Sequence, residues 1–448
     1  MTMFSITHPA TADFSQPIDS YWEASADPLA IQAAPLTTSE HCDVAVVGAG
    51  ITGLSAALTL AEQGINVRVL EAGPLGWGAS GRNGGFACIG SHKLPYGVMI
   101  KRYGLEATQS YYQAMRDSVE LVADNLRRFT IDAWVSGSGE VTLAHHPSRI
   151  SGLREEQEFL KSTFGEDTTF LSKDDLQALG LKGPAFFAGL KAQVGFGLHP
   201  LNYVRGLARA ASGAGARLHA QSALLRWEET PSAHLLHTRD GRLAARHVIV
   251  ATNGYTPEHI SPLHRGRLLP ALSSIIVTRQ LSDAERAAQG WISGLMAFDS
   301  RNLLHYFRLL PNGRFLFGGR GGTDGSAAGD TAYRPVLTKA FHELFPAWRH
   351  VDVTHYWRGL VCLAYDRVPY LGALNEGKTV WTAIAYHGNG VAMGSWCGRA
   401  LAHLLLGRTS EETLPPVLTR RLARFPLPAF RPLYLKGAYL WYGWQDRQ

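Results

Sequence analysis

The chain has 448 residues, of which 46% are hydrophobic and 18% are charged, and its formal net charge is +6 at pH 7. This composition excludes an intrinsically disordered protein, and the four cysteines and scattered arginines indicate neither a disulfide framework nor a nucleic-acid-binding surface. No apolar stretch is long enough to span a membrane or to act as a secretory signal, so we expect a cytoplasmic globular protein of two or three domains.

The first predicted feature is a loosely structured lead-in over 1–40, with an aromatic anchor at Tyr21 and Trp22. Apolar runs and helical spacing then predict three consecutive elements: a buried strand over 44–47, a helix over 51–63 and a second strand over 67–70. Together they form a β-α-β unit.

Helical periodicity and strand-type runs predict further elements along the chain. In chain order, these are helices over 111–129 and 152–163, a β-type region around Leu224 that ends at 247–251, strands over 306–310 and 314–318 joined by a Pro311-Asn312-Gly313 turn, short strands after Asp352, and a helix over 391–406.

The first chemical motif lies in the turn of the β-α-β unit, as Gly48-Ala49-Gly50-Ile51-Thr52-Gly53. Glycine clusters also form ordinary turns, but this one follows a strand, begins a helix and is followed by Glu71 after the second strand. Gly48 would form the turn, Gly50 would admit a pyrophosphate to the helix N-terminus, and Gly53 would let the helix pack on the strand. Glu71 would accept hydrogen bonds from ribose hydroxyls. The motif predicts a dinucleotide site.

A second glycine-rich segment, Gly76-Trp77-Gly78-Ala79-Ser80-Gly81-Arg82-Asn83-Gly84-Gly85, follows the second strand. A nicotinamide-binding domain does not need this loop, whereas a flavin needs backbone along its long axis. Ser80 and Arg82 are candidates to bond a phosphate and the ring edge. The alternative is a flexible surface loop.

The third segment, Tyr386-His387-Gly388-Asn389-Gly390, precedes the last predicted helix. The partial positive charge of that helix N-terminus would stabilise negative charge at the N1/C2=O edge of a reduced flavin. Gly394 and Gly398 are spaced to let the helix approach a strand or the cofactor. Simple helix packing behind a glycine-rich cap is the alternative.

With these segments, the sequence resembles the D-amino-acid-oxidase-like superfamily of FAD-dependent amine and amino-acid oxidases. The resemblance covers about 40 to 410 and also includes His199 to Asn202, His247 to Tyr255, Tyr306 to Leu309, and Trp357 to Pro369. Within the superfamily it is most similar to the gamma-glutamylputrescine oxidase branch, and less closely to the sarcosine-oxidase and pipecolate-oxidase branches.

The resemblance implies an α/β fold: a Rossmann-type, glutathione-reductase-like FAD domain and an α+β substrate domain whose antiparallel sheet covers the flavin. The implied boundaries are 1–40 for the lead-in, 41–92, 190–262 and 352–410 for the FAD domain, 93–189 and 263–351 for the substrate domain, and 411–448 for a C-terminal tail.

The motifs and the resemblance together nominate two sets of site residues. The candidate FAD-binding residues are Gly48, Ala49, Gly50, Ile51, Thr52, Gly53, Glu71, Ala72, Gly78, Ala79, Ser80, Arg82, Asn83, Gly84, Gly85, Leu224, Ala251, Thr252, Gly359, Gly388, Asn389, Gly390 and Val391. The candidate catalytic residues are Tyr306, Arg308, Trp357, Tyr365 and His387. We expect no metal, because His145-His146 and His234-x-x-His237 lack further ligands at suitable spacing.

FAD is expected to be bound non-covalently. The stretch Arg358-Gly359-Leu360-Val361-Cys362 nevertheless matches a pattern of the sarcosine branch, in which the Cys carries the flavin by a thioether, so Cys362 is a candidate attachment site. That branch also has a Lys that binds the substrate carboxylate, and the matching residue here is Ala392. Arg308 is the candidate replacement. We therefore expect the reacting amine to lie at the end of a longer chain, as in gamma-glutamylputrescine, with any carboxylate far from the flavin.

The expected reaction is oxidation of the C–N bond of a small-molecule amine. Hydride passes to N5 of FAD, the imine is hydrolysed, and oxygen or another acceptor takes the electrons, with hydrogen peroxide as the product from oxygen. The first alternative is a sarcosine-, pipecolate- or D-amino-acid-type oxidase or dehydrogenase. The second alternative is a flavoprotein subunit without turnover. The sequence leaves the oligomeric state open.

Overall fold

The computed structural model describes residues 7–90 and 94–447. Residues 1–6 of the predicted lead-in, residues 91–93 at the predicted domain boundary, and residue 448 of the predicted tail lie outside the described part. The strands of the described part are β1 (Ser39–Val47), β2 (Val67–Leu70), β3 (Phe86–Cys88), β4 (Glu140–Leu143), β5 (Thr168–Leu171), β6 (Gly189–Ala192), β7 (Gly195–Gly197), β8 (Arg217–His219), β9 (Arg226–Glu229), β10 (His234–His237), β11 (Arg242–Val250), β12 (Leu268–Gln280), β13 (Met296–Asp299), β14 (Tyr306–Leu309), β15 (Arg314–Arg320), β16 (Val353–Ala364), β17 (Tyr370–Ala373) and β18 (Val380–Ile384).

The helices of the same part are α1 (Tyr21–Ser25), α2 (Ile51–Ala61), α3 (Ala79–Arg82), α4 (Tyr96–Tyr103), α5 (Leu105–Arg128), α6 (Ile150–Phe164), α7 (Lys173–Ala178), α8 (Pro200–Gly213), α9 (Asp283–Gln289), α10 (Ala327–Leu344), α11 (Ala392–Leu405), α12 (Pro416–Thr419) and α13 (Arg431–Gln445). Within residues 7–90 and 94–447, we find no helix with the length and apolarity needed to cross a membrane.

The first large sheet has the strand order β17-β18-β11-β1-β2-β8. Strands β18, β11, β1, β2 and β8 run parallel, and β17 joins β18 in the antiparallel direction. The predicted β-α-β unit is present as β1-α2-β2, with the last four residues of β1 pairing with β2. Apolar residues of β1 are buried on both faces, as expected for a central parallel strand.

The second large sheet has the order β16-β12-β15-β14-β13-β4-β6-β5. All its neighbours pair antiparallel except β13 and β4, which run parallel, so the sheet is mixed at one place. The predicted hairpin around Pro311-Asn312-Gly313 forms from β14 and β15. The α/β fold class is therefore confirmed, with this one departure from a purely antiparallel second sheet.

Two strands belong to a different sheet from the one that the sequence analysis implied. The resemblance implied that 352–410 and 190–262 belong to the FAD domain, but β16 pairs with β12 of the second sheet, from Leu268 opposite Ala364 to Thr278 opposite Val353. Likewise, β6 pairs with β4 and β5 in the second sheet. The chain therefore crosses between the sheets after β16, because the backbone groups of β16 find their partners in the second sheet. The rest of the domain division stays a prediction.

Helix α11 packs directly on α2, and two glycines permit this contact. A Cβ atom on Gly398 would lie 2.3 Å from the carbonyl oxygen of Thr52, and one on Gly394 would lie 3.1 Å from the Thr52 hydroxyl oxygen. The sequence analysis expected these glycines to approach a strand or the cofactor. They instead approach the helix α2.

The aromatic anchor of the lead-in is confirmed at Trp22, which is fully buried. Its indole Nε1 donates a hydrogen bond to the carbonyl of Asn83 at 2.7 Å. The lead-in thereby supports the second glycine-rich segment from behind.

Candidate functional site

The main cavity lies at the carboxyl ends of the central strands β1, β2 and β11, where their last residues Val47, Leu70 and Val250 line it. In an open parallel sheet this edge is the usual place for a ligand. The second sheet contributes the opposite wall, including Ile275 and Tyr306. The cavity is thus enclosed between the two sheets.

The turn after β1 forms the floor of the main cavity. Gly48 has φ of +104°, a conformation that side chains disfavour, and a Cβ there would lie 2.9 Å from the Ala251 carbonyl. A Cβ on Gly50 would lie 2.7 Å from the Ser80 hydroxyl oxygen. That hydroxyl accepts a hydrogen bond from the Ile51 amide at 3.0 Å and so caps α2, which Gly50 itself cannot cap. The bare backbone of this turn faces the cavity.

The carboxylate of Glu71 lies at the end of β2 on the same floor. Its two oxygens accept hydrogen bonds from the Ala49 amide at 2.7 Å and the Gly73 amide at 3.1 Å. Burial raises the pKa of Glu71, and the backbone hydrogen bonds oppose this shift. The carboxylate is therefore held in place and keeps lone pairs for ligand hydroxyls.

The second glycine-rich segment lines the cavity, but two of its side chains form hydrogen bonds within the protein. Arg82 donates from Nε to the Trp77 carbonyl at 2.8 Å and from Nη1 to the Arg358 carbonyl at 3.1 Å, and it stacks on the Trp77 ring. Asn83 donates to the carbonyls of Ala79 and Ser80. Arg82 thus supports the loop instead of presenting a free guanidinium to a phosphate.

The third segment closes one end of the main cavity. Asn389 donates from Nδ2 to the Ile89 carbonyl at 2.9 Å, and its Oδ1 is buried without a hydrogen-bond partner among the described residues. The Tyr386 hydroxyl lies 2.8 Å from Thr52 Oγ1, which ties this segment to α2. His387 has φ of +56° and accepts a hydrogen bond from the Ala364 amide at its Nε2.

Most of the predicted FAD-binding residues line the main cavity. They are Gly48, Ala49, Gly50, Ile51, Thr52, Glu71, Ala72, Gly78, Ala79, Ser80, Arg82, Asn83, Gly84, Leu224, Ala251, Thr252, Gly359, Gly388, Asn389, Gly390 and Val391. Gly53 and Gly85 do not line it. A Cβ on Gly53 would lie 1.9 Å from the Gly48 carbonyl, so Gly53 serves the packing of α2, as its motif role predicted.

Among the predicted catalytic residues, Tyr306 and His387 line the main cavity, whereas Arg308, Trp357 and Tyr365 do not. Arg308 is 1% exposed and donates to the carbonyls of Gly84 at 3.1 Å and Leu198 at 2.6 Å. Its guanidinium therefore fastens two loops together and is not available as a carboxylate clamp. Burial lowers the pKa of Arg308 to about 9.

The other two residues lie behind or beyond the cavity. Trp357 is buried in a cluster with Trp22 and donates from Nε1 to the Arg82 carbonyl at 2.8 Å. Tyr365 is 51% exposed and packs its ring edge-on against Phe425. Trp357 therefore acts through packing, and Tyr365 lies toward solvent.

A second cavity, here called the side chamber, adjoins the main cavity. The two share a wall that consists of Gly90, Glu140, Phe298, Leu304, Arg320 and His387. Tyr365 lines the side chamber, together with residues of α4, α5 and α6 that include Tyr96, Tyr112 and Glu156. The side chamber therefore extends the space available to a ligand beyond the main cavity.

Two charged residues of the shared wall, Glu140 and Arg320, were missed by sequence reasoning. The Arg320 guanidinium has neither a hydrogen-bond nor an ion-pair partner in the part of the chain that the structure describes. Arg320 follows two glycines at the end of β15, and strand alternation could have indicated that it lies on the same face as Gly318 of the sheet expected to cover the flavin. No comparable local signal distinguishes Glu140.

Cys362 lines the main cavity, and it is 1% exposed. Burial raises the pKa of its thiol well above the ordinary value. A thiol in this state is protonated and a poor nucleophile. Across the described residues, no cluster of three or more His, Cys, Asp or Glu side chains is arranged to hold a metal ion.

The main cavity fits FAD by the character of its walls. The bare turn at Gly48 and Gly50 leaves the N-terminus of α2 open to a pyrophosphate, and Glu71 offers acceptors to ribose hydroxyls. The unpartnered Oδ1 of Asn389 offers an acceptor to an N–H group at the other end. These groups match the two phosphates, the sugar and the ring that such a dinucleotide carries.

Comparison with known proteins agrees with this fit. The chain matches the model of the DAO family, described as FAD dependent oxidoreductase, over residues 43–404. It is 31% identical over 418 residues to gamma-glutamylputrescine oxidoreductase of Escherichia coli (strain K12), with 92% of this chain and 94% of that protein covered. It is 32% identical over 381 residues to the probable oxidoreductase OrdL of Haemophilus influenzae, with 84% and 85% covered. The solved structure of glycine oxidase from Geobacillus kaustophilus has the same fold, with a TM-score of 0.69 at 21% identity, covering 86% of this chain and 99% of that chain.

Proposed function

The chain belongs to the DAO family of FAD-dependent oxidoreductases, and we propose that it oxidises the C–N bond of a primary or secondary amine at the end of a longer chain, as in gamma-glutamylputrescine. The similarity to gamma-glutamylputrescine oxidoreductase supports this substrate class, because it extends over nearly the whole of both chains.

The observation that carries the proposal is the side chamber. It shares a wall with the main cavity, and the two cavities together would give room for a substrate much longer than a small α-amino acid. Ala392, which stands where the sarcosine branch has a carboxylate-binding Lys, is fully buried in the apolar core. Arg308 is engaged by two carbonyls. An α-carboxylate next to the reacting carbon would therefore lack both of these partners.

Four groups of residues would hold FAD: the α2 turn, Glu71, the Gly78–Gly84 backbone and the Gly388–Val391 backbone. Bound FAD would supply the two-electron acceptor that takes a hydride from the carbon bearing the nitrogen. The apolar wall around Phe298, Leu304 and Tyr306 would exclude water from the reacting amine. This desolvation lowers the pKa of an amine and so favours the neutral form, whose lone pair promotes hydride loss.

In the net reaction, an alkylammonium ion, oxygen and water give an aldehyde, an ammonium ion and hydrogen peroxide. One C–H and one C–N bond break, and oxygen takes up both electrons. The imine that precedes the aldehyde is hydrolysed by water. Oxygen as the acceptor is part of the proposal, together with non-covalent binding of FAD.

Substrate preference tests the proposal. Anaerobic flavin reduction and steady-state kcat/KM are compared for gamma-glutamylputrescine, simple alkylamines, sarcosine, pipecolate and D-alanine. We expect gamma-glutamylputrescine or an alkylamine to be preferred by at least tenfold, about 1.4 kcal/mol of transition-state stabilisation. A tenfold preference for a small α-amino acid would refute the substrate class. A hydrogen peroxide yield well below one per turnover would indicate that an acceptor other than oxygen takes the electrons.

A second candidate function, oxidation of an amino acid, is favoured by the unpaired guanidinium of Arg320 on the shared wall. Arginine binds carboxylates in a bidentate manner, so Arg320 could hold a carboxylate at the wall that the two cavities share. The substitution Arg320→Met separates the two functions. If amino acids are the substrates, it should raise their KM by at least tenfold and leave simple alkylamines unchanged.

A further inference from the structure

Glu140 occupies an unusual position for a carboxyl group. It is the first residue of β4 and pairs with Ala192 of β6 on one side and Met296 of β13 on the other. The second sheet therefore surrounds it on both sides, and its side chain is only 5% exposed. It nevertheless belongs to the wall shared by the main cavity and the side chamber.

The two oxygens of this carboxyl group have different environments. Oε1 accepts a hydrogen bond from the Gly90 amide at 3.0 Å, whereas Oε2 is buried without a hydrogen-bond partner among the described residues. Glu140 forms no ion pair with any Lys, Arg or His of that same set. A buried acceptor without a partner is costly, and a ligand that donates a hydrogen bond to Oε2 would remove that cost.

The groups that face Glu140 come from each element packed against it. They are the Cys88 thiol on β3, the phenols of Tyr96 on α4 and Tyr112 on α5, and the carboxyl group of Glu156 on α6. Burial is the main cause that raises the pKa of Glu140 to about 7; hydrogen bonds from the Gly90 amide and the Cys88 thiol to the carboxyl group oppose the rise, and Glu156 adds to it.

The charged residues of the two cavities leave this carboxyl group without a counterion. Arg149, Arg301, Arg320 and Arg367 line the side chamber, but none of them forms an ion pair with Glu140 or Glu156 among residues 7–90 and 94–447. At this point of the wall, the two carboxyl groups without counterions favour a cation with N–H donors over an anion.

We propose that Glu140 binds the ammonium group of the substrate at the wall shared by the side chamber and the main cavity and accepts its proton. The proposal rests on the proposed function, amine oxidation. The N–H bond of the alkylammonium ion breaks, its electron pair stays on nitrogen, and the proton moves to Oε2. The products are a neutral amine and a neutral carboxylic acid, and no other reactant is needed.

This step prepares the amine for oxidation. The nitrogen lone pair that it releases is the one that promotes hydride loss from the neighbouring carbon. Burial favours transfer of the proton from the ammonium ion to Glu140, because it lowers the pKa of an amine and raises that of a carboxyl group.

The proposal is tested by binding of tert-butylamine, which cannot be oxidised because the carbon bearing its nitrogen carries no hydrogen. Calorimetric titrations of the FAD-loaded protein at pH 8, in buffers of different ionisation enthalpy, give the affinity and the number of protons released. We expect wild-type protein to release close to none, because the proton stays within the pair that Glu140 forms with the amine. Glu140→Gln should bind at least tenfold more weakly and release about one proton per bound amine. Glu158→Gln, on the exposed side of α6, is the matched control and should behave as wild type.

A measurement on the wild-type protein alone supplements the variant. If Glu140 takes the proton, the affinity for tert-butylamine should rise up to about pH 7 and then stay level. If no residue takes the proton, the affinity should continue to rise tenfold per pH unit toward the pKa of the free amine, and the proposal is overturned. Equal affinity and equal proton release in Glu140→Gln would overturn the role of Glu140 alone. Failure of the wild type to bind alkylamines at any pH would overturn amine oxidation as well.

Discussion

The hydroxyl oxygen of Ser80 lies 3.0 Å from the Ile51 amide nitrogen and accepts its hydrogen bond. The second glycine-rich segment thereby caps the helix that the first one begins. A Cβ on Gly50 would lie 2.7 Å from the same hydroxyl oxygen, so the helix cap and the open floor of the main cavity depend on each other.

Gly50→Val should therefore lose most of its bound FAD, because a side chain there collides with Ser80 and occupies the space of the pyrophosphate. The ratio of flavin absorbance to protein absorbance in the purified protein measures the effect. Gly152→Val, at a position with open space around it, is the matched control and should keep its colour. A yellow Gly50→Val protein with unchanged FAD content would contradict the assignment of the site.

Gly398→Ala should destabilise the protein by about 1–3 kcal/mol, because the new methyl group would lie 2.3 Å from the Thr52 carbonyl and force α11 away from α2. Urea denaturation measures the free energy of unfolding. Gly394→Ala is the comparison: its methyl group would lie 3.1 Å from the Thr52 hydroxyl, which can rotate, so we expect a smaller loss. Equal stability of both variants and wild type would show that the helices have room to separate.

Arg308→Met should reduce the free energy of unfolding by roughly 2–5 kcal/mol, because it leaves the buried carbonyls of Gly84 and Leu198 without their donor. Thermal denaturation monitored by circular dichroism measures this loss. Arg320→Met, on the cavity wall, removes no such bond and should stay within about 0.5 kcal/mol of wild type. If Arg308→Met were as stable as wild type and lost activity only with carboxylate substrates, Arg308 would bind the substrate carboxylate after all.

FAD should be released completely into the supernatant when the protein is precipitated with acid. The reason is that burial keeps the Cys362 thiol protonated and unreactive. Cys362→Ser should accordingly bind the same amount of FAD as wild type. Cys397→Ser, in the core outside the cavity, controls for the loss of a buried thiol. Flavin that remains in the wild-type pellet and disappears from that of Cys362→Ser would reveal a thioether.

The pH dependence of the free energy of unfolding should reveal the raised pKa of Glu140. Its folded-state pKa of about 7 lies above the value near 4.3 of an unfolded chain, so between these pH values the folded protein holds the extra proton. The free energy of unfolding of wild type should therefore fall relative to Glu140→Gln as the pH rises from about 4.5 to 7, by roughly 3 kcal/mol. Urea titrations at several pH values measure the difference. Parallel curves for the two proteins would mean that Glu140 titrates normally.

The amino-acid sequence by itself determined the β1-α2-β2 unit, and most of the FAD-binding residues predicted from it line the main cavity. These signals are local: Gly48, Gly50 and Gly53 act on the turn and helix in which they lie, and Glu71 bonds the amide of Ala49 across two adjacent parallel strands. The hairpin at Pro311-Asn312-Gly313 is local for the same reason, since a turn and its flanking strands pair with their own neighbours.

Only the tertiary structure decided the roles of the charged and aromatic side chains around the cavity. Arg308 was a candidate clamp in sequence, but its partners Gly84 and Leu198 lie 224 and 110 positions away along the chain. The same sequence segment nominated both Trp357 and Tyr365 as catalytic residues. Trp357 is buried behind the cavity, whereas Tyr365 is half exposed. The residues next to Glu140 in the sequence are typical of an exposed strand end. Glu140 is buried because β6 and β13 enclose β4, and such long-range pairing determines which polar atoms lose water and which ligand can replace it.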